Sequence, residues 1–269
     1  MNNIIGVKTN CYQGFSNEET FRGISQAGFK YVELSATVGC NTGISRFESF
    51  SSLCKSKQLL EKYHLIPIGL GGHTNIMEKD IKQDLINNIR LAHFFGCKYF
   101  ITSVSIPKGN ENIDDQIIAN NIKEYIPYLE ANNIILVIEL HNRHNSGYKL
   151  NHLCKLVNSD LVKINYDTGN AIYCGKENVE EVYQDIEDNI DNIAYMHIKD
   201  KAGEDDEWNF PALGKGNIDF ARIFKILQKH HNDCPLIVEI EFTPQPITDV
   251  QEVDKALLDS QQYINKTIK

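Results

Sequence analysis

Four ionisable residues occupy equivalent places in the C-terminal half of the sequence, each near the end of an apolar, strand-like segment. The segments are IILVIEL, LVKINYD, IAYMHIK and PLIVEIE, and the residues are Glu139, Asp167, His197 and Glu239. Side chains alternate between the two faces of a strand, so each ionisable residue has a defined direction. We therefore expect all four to point into one interior, at the same end of a sheet.

Three carboxylates and one imidazole in a single buried place indicate a metal site. Buried carboxylates repel one another and lose their solvation unless a cation holds them together. Three oxygen donors and one imidazole suit Mn²⁺, with Mg²⁺, Co²⁺ or Zn²⁺ as alternatives, and the lack of thiolates argues against a structural zinc. Taken alone, Asp167 would be a helix cap and His197 a core histidine. Glu139 alone would be an ion-pair partner of Arg143, but the four residues together favour the metal.

Eight short apolar segments alternate with amphipathic, helical ones along the chain. Eight such units in 269 residues without a break in composition predict an α/β fold, a closed (β/α)8 TIM barrel. Residues 1–269 would form this single domain, and an open, doubly wound sheet is the rival architecture. The predicted strands are 4–8, 30–35, 65–70, 98–104, 134–140, 161–167, 193–199 and 235–241. The predicted helices include 76–95, 112–131, 178–189, 219–231, with Asp219 as its N-cap, and 249–266.

The alternation also predicts which other polar side chains face the barrel axis. Barrel enzymes carry their chemistry at the C-terminal mouth, so inward-facing polar residues at strand ends are candidates for the site. His141 shares a face with Glu139, Glu33 shares one with Tyr31, and Glu241 shares one with Glu239. In the segment 193–199, the inward set is predicted to be Ile193, Tyr195, His197 and Lys199.

Composition excludes several classes of protein. The formal net charge is −9 and the acidic residues are spread along the chain, whereas nucleic-acid binding draws on clustered Lys and Arg. The apolar runs are too short for a membrane span, and MNNIIGVKTN does not resemble a targeting segment. We therefore expect a cytoplasmic protein with neither nucleic acid nor membrane as a partner, and a homo-oligomer is compatible with the sequence.

Five segments of the C-terminal half carry a resemblance to a known family. VIELHN, NYDTGN, MHIKDK, FPALGKGNIDF and LIVEIEF, in this order and spacing, resemble the xylose isomerase-like TIM barrel superfamily. That superfamily includes sugar phosphate isomerases and epimerases, inosose dehydratases and endonuclease IV. The N-terminal half matches only in its alternation of strand-like and helical segments and in short pieces such as YVEL. The resemblance implies that the four residues above bind the metal, with Glu241 competing with Glu239 for the last position.

The resemblance also suggests residues that contact the substrate. His141 and Lys199 match positions that often contact the substrate in relatives. His73, in the GGH segment, resembles a residue at the mouth of the barrel. Asn170 stands where endonuclease IV has a histidine. Trp208 has two open interpretations, a packing cluster on the rim or a wall on which a sugar ring stacks. The candidate substrate-binding residues are His73, His141, Asn170, Lys199, Glu33 and Trp208.

These expectations define a reaction class. We expect a divalent-metal-dependent isomerase or epimerase acting on a small sugar, ketose or sugar phosphate through an ene-diolate. The metal would bind a carbonyl oxygen and the adjacent hydroxyl, while Glu139 and Glu239 exchange the proton on opposite faces. The alternatives are a dehydratase of an inosose or related cyclitol with the same metal site, and a non-catalytic sugar-binding barrel. An endonuclease IV-like nuclease is a distant alternative, because further histidine ligands are missing.

Overall fold

Eight parallel strands close into a barrel in the computed structural model, which describes residues 2–37, 44–77, 82–105, 112–175 and 178–268. Each strand pairs with the next, and the first also pairs with the last, with Gly6 opposite Ile237. This closure confirms the predicted TIM barrel and excludes the open, doubly wound sheet. The strands are β1 (Ile5–Lys8), β2 (Tyr31–Ser35), β3 (Ile66–Gly71), β4 (Tyr99–Thr102), β5 (Ile135–Glu139), β6 (Val162–Asp167), β7 (Ile193–Ile198) and β8 (Leu236–Val238).

Helices connect the strands and surround the barrel. Asp219 caps the helix Phe220–Lys229 by accepting hydrogen bonds from the N–H groups of Ala221 and Arg222, as predicted. In the described part of the chain, every helix is too short or too polar to cross a bilayer. The helices are α1 (Asn17–Gln26), α2 (Phe50–Lys62), α3 (Lys82–Phe95), α4 (Asp115–Lys123), α5 (Ile126–Asn132), α6 (Gly147–Val157), α7 (Thr168–Tyr173), α8 (Val179–Asp188), α9 (Phe220–Lys229) and α10 (Val250–Thr267).

The segment 112–131 contains two helices, so the prediction of a single helix was wrong. α4 ends at Lys123 and α5 begins at Ile126. Pro127 lies in the first turn of α5, where its missing N–H has no role, whereas a continuous helix would need that N–H. Another predicted helix, 76–95, is described only in part, because residues 78–81 lie outside the described residues.

The alternation predicted for β5 is confirmed by the packing of its two faces. Leu136 and Ile138 belong to the large core between the barrel and the helices. Val137 belongs to a small inner core on the barrel axis, together with Tyr195 and Ile237. Because this inner core fills the barrel axis, the last inward residue of β5 sits above a packed floor rather than above a channel.

Strand β7 departs from the simple alternation at its first residues. Ile193 packs in the outer core, so its predicted inward direction was wrong. The pairing changes from Ile164 opposite Ile193 to Asn165 opposite Tyr195, which leaves Ala194 as an extra residue in β7. Such an irregularity shifts the faces of a strand by one residue. Beyond this irregularity, Tyr195 lies in the inner core, on the same face of β7 as His197, the metal-ligand candidate two residues later.

Candidate metal centre

The four predicted ligands meet at the C-terminal mouth of the barrel. Glu139 ends β5, Asp167 ends β6, His197 lies near the end of β7 and Glu239 directly follows β8. One donor atom from each residue lies within 4.8 Å of the others, and all four residues are buried. We call this group the four-ligand centre. It exists because parallel barrel strands deliver their C-terminal ends to one mouth.

His197 is at the middle of the four-ligand centre. Its Nδ1 lies 3.0 Å from Oε2 of Glu239, and 3.7 Å from Oε2 of Glu139 and from Oδ2 of Asp167. Its Nε2 lies 2.7 Å from Oε2 of Glu33. When Nε2–H donates to Glu33, the lone pair of Nδ1 faces the three carboxylates. Burial opposes protonation, yet Glu33 and the other carboxylates raise the pKa of His197 well above its ordinary value. The surroundings therefore favour positive charge at this place.

Glu139 and Asp167 each divide their two oxygens between the protein and the centre. Asn170 donates from Nδ2 to Oε1 of Glu139 at 3.2 Å and from its backbone N–H to Oδ1 of Asp167 at 2.8 Å. The second oxygens, Oε2 and Oδ2, are buried and have no hydrogen-bond partner among the described residues. Asp167 thus serves as the N-cap of α7 through one oxygen and keeps the other for a ligand.

Glu239 shows the same division with different partners. Its Oε1 accepts hydrogen bonds from Nζ of Lys8 at 2.6 Å and from Nδ2 of Asn10 at 2.8 Å. Its Oε2 is buried, has no hydrogen-bond partner among the described residues and faces Nδ1 of His197. Glu241, the competing candidate, is bound by the ammonium of Lys199 and lies outside the four-ligand centre.

The residues present fit a divalent cation. A buried carboxylate oxygen without a partner costs at least the ~1–3 kcal/mol of a lost hydrogen bond, and more when it carries charge. Three such oxygens and one imidazole nitrogen converge here. A cation among them would satisfy all four donors at once, and oxygen-rich sets with imidazole suit Mn²⁺ and related ions.

Two buried lysines offset part of the negative charge. Burial alone would raise the pKa of Glu239, but Lys199 and Lys8 lower it well below its ordinary value. Lys8 also lowers the pKa of Glu139 against the effect of burial. For Asp167, burial dominates and the pKa is raised, even though Lys199 opposes this. Among the three carboxylates of the four-ligand centre, burial outweighs the neighbouring lysines at Asp167 alone.

Residues 21–264 match the model of the xylose isomerase-like TIM barrel. The chain belongs to the xylose isomerase-like TIM barrel family. The comparison with curated proteins found no significant match.

Solved structures of this xylose isomerase-like fold resemble the chain over nearly its whole length. D-allulose 3-epimerase from Methylomonas sp. has 16% sequence identity and a TM-score of 0.74, covering 99% of this chain and 98% of that one. D-psicose 3-epimerase from Clostridium cellulolyticum H10 has 14% identity and a TM-score of 0.75, covering 98% of each chain. A xylose isomerase domain protein from Planctomyces limnophilus has 13% identity and a TM-score of 0.77, covering 99% and 98%. At these identities the likeness establishes a shared fold.

The mouth of this xylose isomerase-like barrel contains a pocket of about 360 Å³ beside the four-ligand centre, which we call the mouth pocket. Its volume is in the range of small-molecule sites, roughly 300–1,000 Å³. Glu139 and Glu239 line it, so both predicted acid–base residues face one cavity. It is also lined by most of the predicted substrate-binding residues, namely His73, His141, Asn170, Lys199 and Trp208.

Trp208 belongs to a packing cluster on the rim and also lines the mouth pocket. Its ring packs edge-on against Phe210 at 5.1 Å and against Tyr173 at 5.4 Å between centroids, which is a rim cluster. The residue is nevertheless 36% exposed and lines the mouth pocket. Packing is therefore observed, while stacking on a sugar remains a prediction.

The GKG segment at 214–216 forms a turn whose backbone amides bind a protein carboxylate. The buried carboxylate of Asp200 accepts hydrogen bonds from the N–H groups of Gly214 at 2.9 Å and Gly216 at 2.8 Å. Ile218 adds a third at 3.3 Å. Because a protein carboxylate already binds these amides, they are not free for an anionic ligand, and they hold the loop after β7 in place.

Lys8 and Asn10 belong to the site, but the sequence alone did not reveal them. Lys8 is only 5% exposed and is the last residue of an otherwise apolar strand. That position was a usable signal, because a lysine at the mouth end of an inner strand needs a buried anion. Asn10 had no comparable signal, since it lies in the turn after β1 and meets Glu239 only through the fold.

Glu33, one of the predicted substrate-binding residues, contacts a metal-ligand candidate. It is fully buried beside His197 and is not among the residues that line the mouth pocket. The amide of Asn165 also lies beside the imidazole, with Nδ2 3.2 Å from Nδ1. We therefore propose that Glu33 orients His197 and sets its tautomer, as outer carboxylates do for metal-binding histidines.

Glu33→Gln is expected to weaken metal binding by about 10–100-fold, the usual cost of losing an outer-shell partner. Glutamine keeps the shape but loses the charge that holds the Nε2–H of His197. Competition between the protein and a fluorescent chelator for Mn²⁺ would measure the change. Glu241→Gln is the matched control, because Glu241 lies at the same mouth without belonging to the four-ligand centre. Equal affinities for Glu33→Gln and the wild type would contradict the orienting role.

Proposed function

We propose that this protein is a divalent-metal-dependent isomerase or epimerase that acts on a small sugar or ketose by proton transfer. The observation that carries the proposal is the set of buried carboxylate oxygens that have no hydrogen bond from the described residues and face Nδ1 of His197 beside the mouth pocket. The four-ligand centre would hold the metal, with Mn²⁺ as the preferred ion. The similar structures add support, because two of those described above are ketose 3-epimerases.

Glu139 and Glu239 are the proposed acid–base pair. When bound, a divalent cation supplies Lewis-acid polarisation of a substrate carbonyl and the adjacent hydroxyl. One glutamate removes the proton from the carbon beside the carbonyl, and the other returns a proton on the opposite face. Both carboxylates line the mouth pocket, and they approach His197 from strands on different sides of the barrel. Such general acid–base catalysis contributes about 10²–10⁴-fold.

Glu139 and Glu239 differ in the hydrogen-bond and ion-pair partners that surround them. Lys8 and Asn10 both donate to one oxygen of Glu239, which keeps this carboxylate ionised and in one orientation. Glu139 has a weaker set of partners, with Asn170 at 3.2 Å and Nε2 of His73 at 3.4 Å. The stronger charge partner makes Glu239 the better-fixed base of the pair.

Substrate binding is assigned to the polar and aromatic lining of the mouth pocket. Lys199 donates from Nζ to Oδ1 of Asn170 at 3.3 Å, so the two side chains hold each other in place in this lining. His73 and His141 supply imidazoles on another part of the lining, and Trp208 supplies an aromatic wall. A few oriented polar groups next to an aromatic surface are typical of a site for a small polar ligand.

The decisive experiment is product identification in deuterated water. The Mn²⁺-loaded protein would be incubated with ketoses, ketose phosphates and inososes, and the products followed by NMR. We expect an isomer of one ketose that carries deuterium at the carbon beside the carbonyl. Loss of water from an inosose would instead identify a dehydratase. Binding of a sugar without any exchange or conversion would contradict the proposed catalysis.

A further inference from the structure

A second cavity adjoins the mouth pocket. It has a volume of about 480 Å³, larger than the mouth pocket, and is built by residues 10–14 after β1 and 240–247 after β8. Asn10, Trp208 and Glu241 line both cavities, so the two lie side by side and share these side chains. A single small sugar in contact with the four-ligand centre would occupy the mouth pocket and leave this second cavity free.

The lining of the second cavity indicates the kind of group that it would bind. One part is apolar and the other carries neutral amides and a hydroxyl. Among the described lining residues, the ionisable carboxylate is that of Glu241, which is already paired with Lys199. Apolar surface bordered by neutral polar groups suits an uncharged, hydroxylated ring. The apolar part includes Phe242, Pro244 and Pro246, and the polar part includes Gln13, Thr243 and Gln245.

The backbone on the floor of the second cavity is held in an unusual conformation. Phe242 has φ 54°, in the left-handed region that residues other than glycine rarely adopt. Two hydrogen bonds with Phe210 hold it there, since the N–H of Phe210 donates to the carbonyl of Phe242 at 2.8 Å and the reverse bond is 3.0 Å. Strained backbone of this kind is concentrated at ligand sites. The same bonds connect the loop that carries Trp208 to the loop after β8.

We infer that the second cavity is a subsite for a further sugar ring, so that the substrate is a ketose bearing a glycosidic substituent. The inference rests on the proposed function, because it places the reacting ketose in the mouth pocket. Trp208 lies between the two positions and offers its exposed aromatic ring to both units. The second ring would supply binding energy and select for glycosylated ketoses over free ones.

Ketose disaccharides test this subsite directly. Isomaltulose, turanose and lactulose each join an aldose ring to a different oxygen of fructose, and D-fructose is the unsubstituted comparison. Dissociation constants for the Mg²⁺-loaded protein would be followed by the fluorescence of Trp208, the single tryptophan of the chain. Saturation-transfer NMR would show which ring contacts the protein. The test variant is Thr243→Phe, which fills the cavity from its lining, and the control is Thr248→Phe, at an exposed threonine of the same loop outside that lining.

The expected result is saturation of the aldose ring in at least one disaccharide. For that disaccharide, we expect the dissociation constant of Thr243→Phe to exceed that of Thr248→Phe by about tenfold, or about 1.4 kcal/mol. Absence of aldose-ring saturation in all three disaccharides, or equal dissociation constants for the two variants, would overturn the subsite. Failure of the proposed function gives a different outcome, in which no ketose is converted while the aldose-ring contacts still respond to Thr243→Phe.

Discussion

Removal of divalent metal by a chelator is expected to abolish turnover, and addition of Mn²⁺ is expected to restore it. The four-ligand centre contains three buried carboxylate oxygens without hydrogen-bond partners among the described residues, and the proposed chemistry needs a cation bound to them. The metal should also raise the melting temperature. A ligand that binds only the folded state at 100 times its dissociation constant adds about 2.7 kcal/mol of stability. Calorimetric melting with and without Mn²⁺ therefore gives a readout independent of activity.

Asp167→Asn separates the loss of a ligand charge from the loss of local structure. Asparagine is as good an N-cap as aspartate, so α7 should keep its first turn, while the charged oxygen that faces His197 is lost. We expect Mn²⁺ affinity to fall by at least the ~10–100-fold that an outer-shell loss costs. Full turnover by the metal-free wild-type protein, or an unchanged melting temperature of the wild type on adding Mn²⁺, would contradict the metal centre.

Glu239→Gln is expected to lower exchange of the substrate C–H with deuterated solvent by about 10²–10⁴-fold, the usual contribution of a general base. Glutamine keeps an amide oxygen in place of the carboxylate but cannot accept the proton. Because Glu239 is also a proposed metal ligand, the metal content of the variant must be measured, and exchange compared at saturating Mn²⁺.

Glu241→Gln is the matched control for this second prediction. Glu241 follows the same strand, shares a face with Glu239 and lines the same mouth pocket, but its carboxylate is bound by Lys199. We expect this variant to retain a much larger share of the exchange rate than Glu239→Gln. Wild-type exchange by metal-loaded Glu239→Gln would remove Glu239 from the proposed chemistry.

The local periodicity of the sequence was sufficient to predict the fold and the meeting of the four ligands. Side chains of a strand alternate with period two, so the directions of Glu139 and Glu239 followed from their apolar neighbours. Eight strands separated by helices allowed few architectures, and a parallel barrel brings every C-terminal strand end to one mouth. The observed closure between β1 and β8 and the clustering of the four residues agree with that reasoning.

The tertiary structure alone decided which distant side chains prepare these ligands. Closure places β1 beside β8, and only for that reason does Lys8 reach Glu239. Glu33 reaches His197 across the barrel interior, which no spacing in the sequence indicates. The extra residue in β7 likewise became visible only through its pairing with β6.

The choice between Glu239 and Glu241 shows the physical limit of a sequence pattern. Alternation assigns both residues to the same face, but depth in the barrel differs, and Lys199 neutralises the outer carboxylate. Trp208 is a similar case, because its position on the rim depends on how the loops after β7 and β8 pair. Local periodicity determines the direction of a side chain, whereas its partner depends on segments that are distant along the chain and adjacent only after folding.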